Sequence, residues 1–193
     1  MRREGFANWP ALDREVADTD PTHPLRDFYD LAGLPLPRME SIPGVNVPEP
    51  SHTLLVHEND MTPTLERHHG SRIHLRVLRS RRQGRFYYRE VVLLLDGTEQ
   101  PVEFGANKVD LQLYPPAAQD LILKEYVPLG SILAQFRIAH TCHPSAYLRI
   151  EPDELISREL QLSKPVPLYG RRNTLKNPQG EALSEIVEIL PHS

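Results

Sequence analysis

From residue 51 onward the apolar positions follow two rhythms. Ile73, Leu75 and Val77 alternate with His74 and Arg76, the period of two expected of a strand with one buried side. Gln83-Gly84 turns the chain into Phe86–Leu95, a longer strand rich in aromatic and branched residues. Asp96-Gly97 marks a hairpin, and Val102–Leu113 reads as the returning strand. Helical signals surround this hairpin. Thr62-Pro63 resembles an N-cap followed by proline at the first helical position, and with Gly70 as a stop it predicts a helix over Pro63–His69. Pro115-Pro116 opens a helix to about Lys124. Pro128-Leu129-Gly130 opens another over Ser131–Ala139, with Ile132, Leu133, Phe136 and Ile138 as its apolar side. Tyr147–Ile150, Val166–Leu175 and Leu183–Leu190 read as further strands, the last two around the turn Asn177–Gly180. Hairpin-linked strands with helices collected between them predict an α+β fold, an antiparallel sheet with helices packed on one face.

The first 50 residues differ from the rest. They hold eight of the 19 prolines, and Pro35 to Pro50 excludes a helix or an inner strand because proline lacks an N–H donor. Two parts are therefore expected: a proline-rich extension over 1–50 and a globular domain over 51–193. The extension reads as an arm with one short helix near Leu25–Leu31, lying on the domain or on a partner; a partly disordered tail is the alternative. A chain of 193 residues with 39% apolar content supports one core. A net charge of −4 argues against nucleic acid as the main partner. The longest apolar run, Val91–Leu95, falls far short of the roughly 20 residues that cross a bilayer. The N-terminus lacks the apolar stretch of a secretory signal, and a single cysteine, Cys142, excludes an internal disulfide framework. The expectation is a cytoplasmic protein without a membrane partner, a monomer or weak homo-oligomer.

Arg89 is the first residue that could carry chemistry. On a strand it shares a face with Tyr87, Val91, Leu93 and Leu95, so an inward face would place a permanent charge among apolar neighbours. Such a charge needs an anionic partner, either an internal carboxylate or the carboxylate of a ligand, which the planar guanidinium fork fits in bidentate fashion. The last strand poses the matching question. Glu188 lies with Ile186 and Leu190, Glu185 with Val187 and Ile189, and pattern alone leaves open which glutamate points inward. Arg171 and Arg172 are adjacent on a strand and must face opposite ways, so at most one reaches a buried site. His140-Thr-Cys-His143 offers three metal-binding side chains, but without zinc-finger or HExxH spacing, so loop and surface roles are the expectation and no metal is assigned. Arg79, Arg81, Arg82 and Arg85 around the Gln83-Gly84 turn read as a solvated tip that discourages edge pairing. P-loop, GxGxxG and GxSxG motifs are all missing.

Several segments, in order, carry a resemblance. They are Leu54 through Thr62 (LLVHENDMT), Tyr88-Arg89-Glu90-Val91-Val92-Leu93 with Asp96-Gly97, Pro128-Leu129-Gly130 before a helix, Tyr169-Gly170-Arg171-Arg172, and an acidic strand ending Glu188-Ile189-Leu190-Pro191. Together they resemble the chorismate lyase (chorismate–pyruvate lyase) family over about residues 52–191. The resemblance implies a chorismate lyase/UTRA-like α+β fold with an enclosed ligand cavity under flaps. It also implies conversion of chorismate to 4-hydroxybenzoate and pyruvate without a metal or organic cofactor. Carried over, Arg89 would hold the ring carboxylate, Met61 would line the flap, and Leu129 and Gly130 would bring backbone to the same carboxylate. Arg171 or Arg172 would add positive charge, and Glu188 would bind the ring hydroxyl. The family's glutamate stands four residues before the closing proline, whereas Glu188 stands three and Glu185 six before Pro191, which keeps Glu185 open because a one-residue slip reverses a strand's faces. Loss of pyruvate makes the ring aromatic, so orientation, water exclusion and charge stabilisation suffice for the chemistry. The alternative is a non-catalytic domain binding small aromatic acids on the same scaffold, as in the effector-sensing domains of some transcription regulators. A third reading is a partner-binding protein that uses the proline-rich arm.

Overall fold

A computed structural model describes residues 19–192. Seven strands, β1 (Met39–Ile42), β2 (Ile73–Gln83), β3 (Phe86–Leu95), β4 (Pro101–Asp110), β5 (Thr141–Ile150), β6 (Leu168–Lys176) and β7 (Ala182–Leu190), pair antiparallel in one sheet of spatial order β1-β5-β6-β7-β4-β3-β2. The helices are α1 (Leu25–Ala32), α2 (Ser51–Leu55), α3 (Met61–His69), α4 (Pro116–Leu123), α5 (Leu129–Gln135) and α6 (Glu154–Glu159). Among the described residues no helix is long and apolar enough to cross a membrane.

The two hairpin strands form as their alternation predicts, and β2 continues through the arginines to Gln83. Expected and observed boundaries differ where proline or a turn intervenes. β4 stops at Asp110, whose side chain accepts from the Gln112 N–H and starts a 3-10 turn over Leu111–Leu113. Helix α3 begins at Met61, one residue before the expected cap, with Asp60 in the extended N-cap conformation. Helix α5 begins at Leu129, directly after Pro128.

Helices α2 to α5 cover one face, packing on Val91, Leu93, Leu95, Val109 and Leu175. The other face is also apolar, with Val92, Leu94, Phe104, Val187 and Ile189 buried there. Helices α1 and α6 cover it through Leu25, Phe28, Tyr29, Ile156 and Leu160. The continuous run Val91–Leu95 is the signature of this double burial. The helix expected near Leu25–Leu31 therefore forms, but inside the body rather than on an arm. Burial of Leu25 and Phe28 contributes roughly 1.5–3 kcal/mol each, which fixes an eight-residue helix too short to stand alone. Strand β1 then adds to the sheet edge beside β5, pairing Met39 with Ile150. Residues 1–18 of the expected extension lie outside the described residues.

Candidate functional site

Arg89 points from β3 into the layer under α3 and α5. It is 1% exposed, with Tyr87 and Val91 on the same face. Its strand partner across β4 is Asn107, and the Arg89 Nε–H donates to Asn107 Oδ1 at 3.2 Å. Among the described residues no carboxylate forms an ion pair with the guanidinium, and its Nη1 is buried without a hydrogen-bond partner. Burial lowers its pKa, because the charged form has lost its water.

A cavity of about 50 Å³ lies beside it, lined by Arg89, Met61, Leu129, Gly130, Glu188 and Glu103, with Asp60, Asn107 and Asn173 completing its polar wall. That space holds a few waters at about 10–15 Å³ each. Between two of its lining residues, Val91 and Glu188, Gly105 of β4 pairs with both. A Cβ on Gly105 would stand 2.5 Å from the Val187 carbonyl oxygen, so only glycine fits. The roof of the cavity is the seam between the starts of α3 and α5, where a Cβ on Gly130 would meet the Thr62 side chain at 3.0 Å.

Glu188 and Arg171 face this side of the sheet as strand neighbours on β7 and β6. The Arg171 Nε–H donates to Glu188 Oε2 at 2.5 Å, and Arg171 is 0% exposed. Its other N–H groups donate to the carbonyls of Leu55, His57 and Asn59, clamping the segment that leads into α3. Arg171 thus holds Glu188 and the roof segment, while Glu188 lines the cavity. Glu103, absent from the sequence-based candidates, is buried beside Glu188 with Oε2 unpartnered. Burial, reinforced by the Glu188 charge, raises its pKa well above the ordinary 4.5. A glutamate at Glu103 between Val102 and Phe104 gave an alternation signal in sequence. The bulge lies beyond Glu103, where Leu94 pairs with Pro101; Glu103 itself keeps step with Gly105 and Asn107, whose partners Val91 and Arg89 line the cavity, so the period counted back from Asn107 could have found it.

Arg172 and Glu185 fall on the other face. Arg172 donates to Glu185 at 2.8 Å and to the His23 carbonyl, and Lys108 also donates to Glu185. Burial pushes the Glu185 carboxyl up, but His23 at 3.8 Å and the Lys108 ammonium at 2.6 Å outweigh it and bring the pKa down to about 2. These two candidates are away from the cavity, and their network ties the segment before α1 to the sheet. The parity of antiparallel strands separates them from Arg171 and Glu188. The hairpin arginines are also structural: Arg79 pairs bidentately with Glu90 and Arg85 pairs with Asp110.

The histidine motif divides in the same way. His143 bonds Thr141 and lines the opposite face, while His140 and Cys142 converge on Asp60 at the cavity wall. His140 Nε2 stands 2.9 and 3.1 Å from the two Asp60 oxygens, and Cys142 Sγ donates to Asp60 at 3.3 Å. The Asp60 hydrogen bond raises the His140 pKa, and burial beside that carboxylate pushes the Cys142 thiol up to about 12. Sequence spacing could not show Asp60, which lies 80 residues from His140.

No family model and no curated protein matches this sequence. Solved structures do match in fold. PhnF from Mycobacterium smegmatis superposes with a TM-score of 0.54 at 14% identity, over 70% of this chain and 65% of that one. The effector domain of PhnF gives 0.51 at 14% identity, over 68% and 87%. A gene product of Staphylococcus aureus subsp. aureus N315 gives 0.52 at 10%, over 71% and 90%. The chain thus spans about two thirds of whole PhnF but most of its effector domain. The shared feature is the chorismate lyase/UTRA-like α+β fold.

Proposed function

We propose that this domain binds a small organic acid, with the acid's carboxylate on Arg89 beside Asn107 and its far end near Glu103 and Glu188. The observation that carries the reading is Arg89, a cavity-lining residue whose buried Nη1 has no hydrogen-bond partner among the described residues. A carboxylate there would offset a desolvation cost of several kcal/mol, and the Glu103 carboxyl and Asn107 amide supply further polar groups in the cavity wall. The neighbouring effector domain of PhnF supports a ligand-holding role for the scaffold. Ligand pockets generally exceed about 300 Å³, so binding parts Thr62 on α3 from Gly130 on α5 to enlarge the cavity. Thermal-shift titration with 4-hydroxybenzoate and related acids tests the reading. Saturable stabilisation that vanishes in Arg89→Ala is expected, and an equal response from Arg89→Ala and parent would sink it.

A second reading, turnover of chorismate, is favoured by one observation: Arg89, Met61, Leu129 and Glu188 line one cavity. In that reaction the ether bond to the ring breaks, the ring hydrogen beside the hydroxyl is lost, and enolpyruvate takes up a proton. Arg89 would fix the ring carboxylate, Glu188 the hydroxyl, and closure of α3 on α5 would exclude water. Pyruvate release above the spontaneous rate, lost in Arg89→Ala and kept in Arg82→Ala, is the expected sign; release at the spontaneous rate leaves the binding reading alone.

A further inference from the structure

We infer that Asp60, His140 and Cys142 form a site for a single divalent transition-metal ion of the zinc class, with its open position facing the Arg89 cavity. The donor atoms of the three residues all lie within 4.8 Å of one another, a spread that one ion at ordinary bond lengths of about 2.0–2.3 Å can draw together.

Four features of the chain point to a cation rather than to ordinary packing. Asp60 occupies the N-cap position of α3 but makes no capping bond; its carboxylate turns away from the helix toward His140 and Cys142. Pro63 at the third helical position has no N–H to offer it, which leaves the carboxylate available to other groups. His140 Nδ1 lies 2.8 Å from the Ile138 carbonyl oxygen and must therefore carry a hydrogen, which directs Nε2 at Asp60. This is the orientation that metal-binding histidines take, one ring nitrogen on a backbone carbonyl and the other on the ion. A neutral imidazole held this way aims a lone pair at a carboxylate, a repulsive pairing that either a second proton or a shared metal ion resolves. Finally, Asn173 is 1% exposed with Oδ1 unpartnered, and its side chain stands against the Cys142 thiol on the same cavity wall as Asp60.

The residue types suit zinc or cobalt: one thiolate, one imidazole and one carboxylate leave a fourth position. Binding replaces the thiol hydrogen, which passes to solvent. With Asp60 and Asn173 both lining the cavity, the fourth position opens beside the space assigned to the organic acid, yet the site stands on its own donors and does not require that acid.

Cobalt(II) titration of the full chain, cleared of metal with a chelator, tests the inference. One equivalent is expected to produce a thiolate-to-cobalt charge-transfer band that added zinc abolishes. Cys142→Ser should remove the band, His140→Gln and Asp60→Asn should weaken binding at least tenfold, and His143→Gln should change neither. Should Cys142→Ser not fold, the parent protein still decides, since stoichiometric zinc must slow alkylation of Cys142. Absence of the band at one equivalent, unaltered affinity in His140→Gln and Asp60→Asn, or alkylation indifferent to zinc would overturn it.

Discussion

Replacing Arg89 by methionine separates a binding guanidinium from a structural one. The side chain is 1% exposed, and among the described residues it makes one hydrogen bond, to Asn107 at 3.2 Å, and has no acidic partner. Keeping an isolated charge out of water costs several kcal/mol. Against this stands one charge-assisted bond, worth about 1.5–3 kcal/mol. Methionine has similar reach and fills the same apolar neighbourhood of Tyr87 and Val91 without the desolvation cost. The empty Arg89→Met protein should therefore be more stable than the parent by about 1–3 kcal/mol, a melting-temperature gain of about 2–4 °C per kcal/mol at this chain length. The same variant should lose its thermal response to hydroxybenzoates. Urea denaturation of parent and variant, without ligand and with saturating 4-hydroxybenzoate, measures both quantities. A variant less stable than the parent by 1 kcal/mol or more, with its response to the acid intact, would show that Arg89 serves the fold and would refute the reasoning.

Arg171→Ala should behave oppositely, because it strands Glu188 in the interior and frees the carbonyls of Leu55, His57 and Asn59. A loss of about 3–5 kcal/mol in urea denaturation is expected, and a loss under 1 kcal/mol would contradict the buried pair. Glu103 gives a pH signature: its folded pKa is raised by burial beside Glu188, so above the ordinary 4.5 the unfolded chain releases a proton that the folded chain keeps. Stability should fall as pH rises through that window by up to about 1.4 kcal/mol per unit, and Glu103→Gln should flatten the decline; parallel curves for variant and parent would count against it. Glu185 acts in the acid window, its pKa lowered from 4.5 to about 2 by His23 and Lys108 despite burial. Its contribution, on the order of 3 kcal/mol, is complete above pH 4.5 and disappears toward pH 2, so Glu185→Gln should be less stable at neutral pH and less acid-sensitive by calorimetry.

The alternation of Tyr87, Arg89, Val91, Leu93 and Leu95 made the inward charge legible in the sequence, because a strand's period of two leaves only a choice of face. The hairpin signals at Gln83-Gly84 and Asp96-Gly97 made the β2-β3-β4 meander legible for the same local reason. What a single strand cannot reveal is register. Glu188 reaches the cavity because β7 pairs it with Gly105 on one side and Arg171 on the other, and shifting either ladder by one residue would have presented Glu185 instead. Helix α1 was legible near Leu25–Leu31, but its place was not: the prolines around it describe an extended arm, and only the second apolar face of the sheet explains why Leu25, Phe28 and Tyr29 are buried. The meeting of Asp60 with His140 and Cys142 is purely tertiary, created when α3 is laid across the start of β5.

The position of β7 has a mechanical consequence. Without it the strands form two separate three-stranded ribbons, β2-β3-β4 and β1-β5-β6, which share no backbone ladder. Every hydrogen-bonded link between those ribbons passes through this one segment, so its amides should exchange with solvent only when the whole sheet comes apart. Glu188 sits on that seam, facing Arg171 of one ribbon and Gly105 of the other. Glu188 thus stands where the two ribbons are joined, and its pair with Arg171 ties the carboxylate to one side of that joint.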